Sequence, residues 1–150
     1  MAIRILKSKE AKKIISDINS HWDSSLDISP DEYVFTMNEK ERIQITKKEV
    51  YSLDINNYST GIYFGSIMAG GFRLSIEGSQ LVGATAKKNI LDLDFESAKR
   101  WMKGEDIDVS ENRSNEFVII RHDDDFLGSG KLKDGYILNY VPKPRRVNFF

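Results

Sequence analysis

Phe126-Leu127-Gly128-Ser129-Gly130-Lys131-Leu132-Lys133-Asp134-Gly135-Tyr136-Ile137-Leu138-Asn139-Tyr140-Val141-Pro142-Lys143-Pro144-Arg145-Arg146-Val147 contains two apolar-rich runs joined at Asp134-Gly135. Asp-Gly tolerates the positive φ angles of a two-residue type I′ turn, which predicts a β-hairpin. Five bases, Lys131, Lys133, Lys143, Arg145 and Arg146, share the stretch with one acid, Asp134. Tyr136, Asn139 and Tyr140 lie among them. A strand that offers aromatic rings and runs into Pro-Lys-Pro-Arg-Arg supplies both stacking surface and phosphate partners. The same residues also suit a hairpin with a solvated basic edge, where lysines discourage unwanted strand pairing.

Upstream of this stretch, Phe117 to Arg121 is an apolar strand of the buried kind. His122-Asp123-Asp124-Asp125 turns the chain so that Phe126 to Leu132 returns antiparallel to it. The three aspartates are adjacent and lack the spaced ligands and distal glutamate of a calcium loop, so they suit a hairpin tip better than a metal site. Gly128 and Gly130 predict a bulge or a close approach by another backbone. Ile90 to Leu93 reads as a further strand. Asp94 is placed to cap a short helix over Phe95 to Lys103, with Phe95, Ala98, Trp101 and Met102 as its apolar face and Gly104 as its C′ residue. Trp101 follows the apolar spacing and is assigned to the core rather than to base stacking.

Glu77-Gly78-Ser79-Gln80-Leu81-Val82-Gly83-Ala84 has two glycines five apart. This suits a tight turn followed by one helical turn or a bulge, with backbone N–H groups left available. It is not a Walker loop, because no Gly-Lys-Ser/Thr follows and Lys87-Lys88 is displaced. From Phe72 onward, short strands with turn signals every ten residues or so predict a small closed or partly closed β-barrel.

The first half reads differently. Ile3 to Leu6 begins a strand, and Ser8 is placed to cap a helix running to about His21. Ala11, Ile14, Ile15, Ile18 and Trp22 fall on one face of it. Tyr33–Met37, Arg42–Thr46 and Ile62–Met68 read as strands, and Phe72–Ile76 as another. Lys47 to Ile55 fits a strand or a short helix, and 56–61 fits a loop. The expected fold class is therefore α+β, with an N-terminal α+β domain over 1–71 and a small β-barrel over 72–150.

The 150 residues suffice for one good core or two small ones sharing an interface. No apolar run approaches the ~20 residues that span a bilayer. The N-terminus has no secretion signal, so a cytoplasmic location is expected. There is no cysteine, which excludes disulfides, thiolate metal sites and a cysteine nucleophile. Two histidines, His21 and His122, exclude a multi-histidine metal site and leave little for a Ser-His-Asp triad. No cofactor is expected. Net charge is −1, but eight acids against two bases lie between Glu105 and Asp125, with basic stretches on either side. A local basic patch survives a neutral total, because charges beyond a Debye length of about 10 Å are largely screened.

Four segments in order carry a resemblance to a known family. They are Arg73 to Gly83, Trp101-Met102-Lys103-Gly104-Glu105-Asp106, Asp125 to Lys131, and Asn139-Tyr140-Val141-Pro142-Lys143-Pro144-Arg145-Arg146-Val147. Together they resemble the PUA-like RNA-binding domain found beside Nol/Nop/Sun (fmu) RNA cytosine-5 methyltransferases. They resemble more closely still the short stand-alone archaeal proteins grouped with these enzymes as ribosome-biogenesis factors. The resemblance spans roughly Gly61 to Val147. It implies a pseudo-barrel with RNA lying between the glycine-containing loop and the last barrel strand. Carried over residue by residue, it points to Gly78, Ser79, Gly83, Lys87 and Lys88 on one side and to Tyr140, Lys143, Arg145 and Arg146 on the other. The methyltransferases need a cysteine nucleophile and a Rossmann-like cofactor domain; this chain has neither, so it is expected to be non-catalytic.

The functional expectation is a protein that binds structured RNA, ribosomal or transfer, in ribosome biogenesis or RNA modification, beside a modifying enzyme acting in trans. The alternative is a protein-interaction module that docks a basic partner through Glu105–Asp125. A small metal-dependent hydrolase built on Asp123–Asp125 ranks last, because one hairpin turn supplies no convergent base, nucleophile and electrophile.

Overall fold

The computed structural model describes residues 3–52 and 61–147. The expected loop at 56–60 and the far end of the Lys47–Ile55 segment lie outside the described residues. Among the described residues, two five-stranded sheets and four α-helices make an α+β fold. The first sheet is an antiparallel meander in the order β1 (Arg4–Ile5), β2 (Tyr33–Met37), β3 (Arg42–Lys47), β4 (Ile62–Met68), β5 (Gly71–Leu74). The second runs β6 (Ile90–Asp92), β8 (Phe117–His122), β9 (Asp125–Lys133), β10 (Tyr136–Leu138), β7 (Ile107–Asp108), with β6 parallel to β8 and the other pairs antiparallel. Its hydrogen-bonded order ends at β6 and β7, so among the described residues the strands of the expected barrel do not close into a ring. The expected division at 71/72 falls inside the β4–β5 hairpin, whose strands pair from Gly65↔Leu74 to Met68↔Gly71.

Helix α1 (Ser8–Trp22) follows the first strand. Lys7, not Ser8, occupies its N-cap position, and the Glu10 carboxylate accepts the Lys7 N–H at 3.0 Å. Ala11, Ile18 and Trp22 are buried on its inner face, as the spacing predicts. Lys48–Ser52 is a short helix, α2, which resolves the strand-or-helix ambiguity there. None of the helices among the described residues is long and apolar enough to cross a membrane.

Two departures from the sequence reading matter for function. The run expected as a strand over Phe72–Ile76 stops at Leu74, and Ser75 caps helix α3 (Ile76–Gly83), its Oγ accepting the Gly78 N–H at 2.9 Å. The expected tight turn with free N–H groups is thus a two-turn helix. Phe95, expected on the apolar face of α4 (Phe95–Met102), is exposed, whereas Trp101 is fully buried and donates its indole N–H to the Leu127 carbonyl at 2.8 Å.

The turns follow the sequence chemistry. Asp134 and Gly135 both have positive φ, 52° and 83°, as a type I′ turn requires. Between Ile119↔Ser129 and Arg121↔Phe126 the register slips, with Gly128 at φ 95°, which is the expected bulge.

Two buried clusters hold the elements together. One joins α1 and the first sheet to α3 and β8 through Trp22, Phe35, Phe64, Val82 and Phe117. The other packs α4 against the second sheet through Trp101, Ile120, Leu132 and Ile137. Full burial of each such side chain contributes roughly 1.5–3 kcal/mol. Because the first cluster takes members from both sheets, β3–β5 and the C-terminal tail lie against each other, and a cleft forms where they meet.

Candidate nucleic-acid interface

One wall of the cleft is the first sheet. Arg42 lies opposite Ser66 across β3–β4, and Ser66 lies opposite Arg73 across β4–β5. Residues paired in this way project from the same face, so the small, buried Ser66 is flanked by two guanidinium groups. The Ser66 hydroxyl is hydrogen-bonded to the Tyr63 hydroxyl at 2.6 Å, and the Arg42 guanidinium lies 5.8 Å from the centre of the Tyr63 ring.

The other wall is the tail, which is fixed before it reaches the cleft. Asn139 commits its side-chain amide and its backbone N–H to this. Its side-chain N–H groups donate to the Trp101 and Glu105 carbonyls at 2.7 and 2.8 Å. Its Oδ1 accepts the Val141 N–H, and its own backbone N–H donates to Asp106. Tyr140 follows, half-buried, with the Arg73 guanidinium 4.6 Å from its ring centre and the Phe117 ring, tilted against it, at 6.3 Å. Pro142 leads into a 3₁₀ turn, Lys143–Arg145, and the Val147 N–H donates to the Met102 carbonyl. Arg146 lies across Gly104, where a Cβ would come within 2.4 Å of its Nε, and it donates to the Val141 carbonyl at 3.1 Å.

The cleft between these walls has a volume of about 420 Å³ and is floored by Leu74, Ser75, Ile76, Gly128 and Ser129. Arg42, Arg73, Lys143 and Arg146 line it, with no carboxylate among the lining residues. None of the four has a carboxylate partner among the described residues. Four cations and two tyrosines around one concavity attract a polyanion with planar groups. A larger cavity of about 550 Å³ between α1 and β4–β5 is mainly apolar, and its one imidazole, His21, already donates to the Phe117 carbonyl at 2.7 Å. Charge therefore favours the smaller cleft.

The residues singled out from the sequence separate into three groups. Tyr140, Lys143 and Arg146 line the cleft. Arg145 stands beside it and reaches the first turn of α3, its guanidinium meeting both Glu77 oxygens at 3.1 and 2.9 Å. Its hydrogen bonds hold the Glu77 carboxyl below the usual carboxylate range. Gly78, Ser79 and Gly83 are buried. A Cβ at Gly78 would lie 2.1 Å from the Phe64 carbonyl oxygen, and one at Gly83 would lie 2.5 Å from the Phe126 ring. The Ser79 hydroxyl donates to the Ile76 carbonyl and accepts the Gly128 N–H at 2.9 Å. Lys87 and Lys88 are exposed at the opposite end of α3, and both of their backbone N–H groups donate to the Trp22 carbonyl at the end of α1. The six residue steps from Glu77 to Gly83 put that end about 9 Å along the helix from the Arg145 contact.

Arg42, Tyr63 and Arg73 were not marked by the sequence. Single charged or aromatic residues in alternating strands look like ordinary solvent-facing positions, and only the strand register aligns them. Half of the eight acids in the acidic stretch are engaged internally. Glu105 pairs with Arg100, Glu111 and Glu116 pair with Arg113, and Asp106 accepts the Asn139 N–H. Asp123 and Asp124 are exposed at the β8–β9 tip. Among the described residues no three His, Asp or Glu side chains converge as metal ligands.

Residues 88–147 match the family model of the methyltransferase RsmF PUA domain. The C-terminal part of the chain is thus similar to the PUA-like domains associated with Nol/Nop/Sun methyltransferases. No curated protein matches the chain.

Proposed function

We propose that the protein binds RNA in the cleft between the first sheet and the C-terminal tail, and that it does so without catalysing a reaction on it. The observation that carries this reading is the convergence of Arg42, Arg73, Lys143 and Arg146 on one concavity without a neutralising carboxylate. The PUA domain is in general an RNA-binding module, and the similarity over 88–147 supports RNA as the polyanion. Structured ribosomal or transfer RNA is the proposed target, in ribosome biogenesis or RNA modification, with a modifying enzyme acting in trans. The absence of cysteine supports a binding role over cysteine-dependent methylation. Of the residues first marked for contact, Tyr140, Lys143, Arg145 and Arg146 belong to the proposed surface. Lys87 and Lys88 form a separate exposed basic step, and Gly78, Ser79 and Gly83 support the fold beneath it.

Phosphate contacts make affinity depend steeply on salt, with the logarithm of the binding constant falling by about 0.7–0.9 per contact for each decade of salt. A transfer-RNA titration followed by fluorescence anisotropy at several salt concentrations tests the reading. Changing Lys143→Ala together with Arg146→Ala is expected to weaken binding about tenfold or more at low salt and to flatten the salt slope by about 1.4–1.8. Unchanged affinity and slope in a variant of native thermal stability would refute the proposal.

A further inference from the structure

The two walls of the cleft come from different parts of the chain. Tyr140, Lys143 and Arg146 lie in the segment that resembles the PUA domain, whereas Arg42, Tyr63 and Arg73 precede it. Position in the first sheet alone would not make them binding residues. Their register does, because the row Arg42–Ser66–Arg73 faces the tail, and Arg73 reaches across to cover Tyr140.

That contact also changes how a base would be held. With the Arg73 guanidinium 4.6 Å from its ring centre, Tyr140 already has a stacking partner. The planar guanidinium groups of Arg73 and Arg42 are themselves stacking surfaces for unpaired bases. The space between the walls, about 420 Å³, is of the size that holds small ligands. A duplex is a rigid cylinder whose bases are stacked inward, and proteins read it along its outer surface over many base pairs. A cavity of about 420 Å³ does not admit such a cylinder, whereas one extended strand can present phosphates to both walls and a base to the guanidinium planes.

Resting on the RNA-binding reading above, we propose that the first sheet supplies the second wall of the site through Arg42 and Arg73, and that the cleft takes a single unpaired RNA strand. An unpaired end or loop of a folded RNA would meet this requirement.

The test uses the full chain and two labelled probes, a single-stranded RNA of about 12 nucleotides, within the usual range of site sizes, and the blunt duplex of the same sequence. The single strand is expected to bind about tenfold or more tightly than the duplex. Arg42 is exposed, and its side chain has no carboxylate partner among the described residues, so Arg42→Ala leaves the core intact. That variant is expected to weaken single-strand binding about fivefold and to lower the salt slope by about 0.7. Equal or tighter binding of the duplex overturns the unpaired-strand assignment. Loss of binding in the Lys143→Ala, Arg146→Ala variant but not in Arg42→Ala overturns the two-walled site and leaves the broader reading standing. Failure of the unaltered protein to bind either probe or transfer RNA refutes the broader reading itself.

Discussion

Gly78 illustrates how one residue can be read correctly as special and wrongly as to why. Glycine at this place suggested a backbone N–H free for a phosphate. Instead the N–H goes to Ser75 Oγ, and the missing side chain lets α3 lie against β4. Alanine in a helix is favoured over glycine by about 1 kcal/mol. Overpacking costs about 1–3 kcal/mol, and here the obstacle is the Phe64 carbonyl oxygen at 2.1 Å, a backbone atom that cannot rotate away. The clash wins. Gly78→Ala is expected to destabilise the fold by a net of up to about 2 kcal/mol in a urea unfolding titration, while the folded fraction keeps its RNA affinity. Undiminished stability together with lost affinity would return Gly78 to the binding surface. Asn139 is the converse case, since it lies among the bases in the sequence but serves as the clamp that holds the tail in place.

Strands and hairpins were legible wherever local chemistry decided them. Asp134-Gly135 set its turn, Phe117–Arg121 read as a buried strand, and Asp94 capped α4 by accepting the Ser97 N–H. The junction at Ser75 was not legible, because Phe72-Arg73-Leu74-Ser75-Ile76 keeps a strand's alternation through the very residue that starts a helix. Only the hydroxyl's reach to Gly78 separates the two outcomes. At the sheet's edge, β6 is three residues long and is tied to β8 by Asp92 and Arg121, which face each other in register. Two hydrogen bonds, at 2.6 and 2.9 Å, hold the Asp92 carboxyl below its ordinary range. A carboxylate with a lowered folded-state pKa contributes stability above its unfolded value of about 4, and that contribution is lost as pH falls through the folded value. The pair is largely exposed, so its contribution is on the order of 0.5 kcal/mol. Asp92→Asn is therefore expected to lower the Tm slightly at pH 7, and the difference from the parent is expected to shrink as the pH is lowered below the ordinary carboxylate range. A difference between the two proteins that stays constant throughout an acid titration would show that the loss is not electrostatic.

The assembled molecule holds what no single stretch announced. The basic tail was visible in the sequence, but the face it opposes was not, since residues 42, 63 and 73 become neighbours of residues 140–146 only when two sheets share a core. The same packing carries Lys87 and Lys88 away from the tail, although they lie closer to it in sequence than Arg42 does. Net charge is no guide either, because many of the acids are paired elsewhere while the cleft keeps its four cations. The most direct test is to titrate unlabelled single-stranded RNA into isotope-labelled protein and follow backbone and arginine side-chain NMR signals. The account predicts shifts concentrated at Arg42, Tyr63, Arg73, Tyr140, Lys143 and Arg146; shifts confined to Lys87–Lys88 and the end of α1, with the cleft silent, would contradict it.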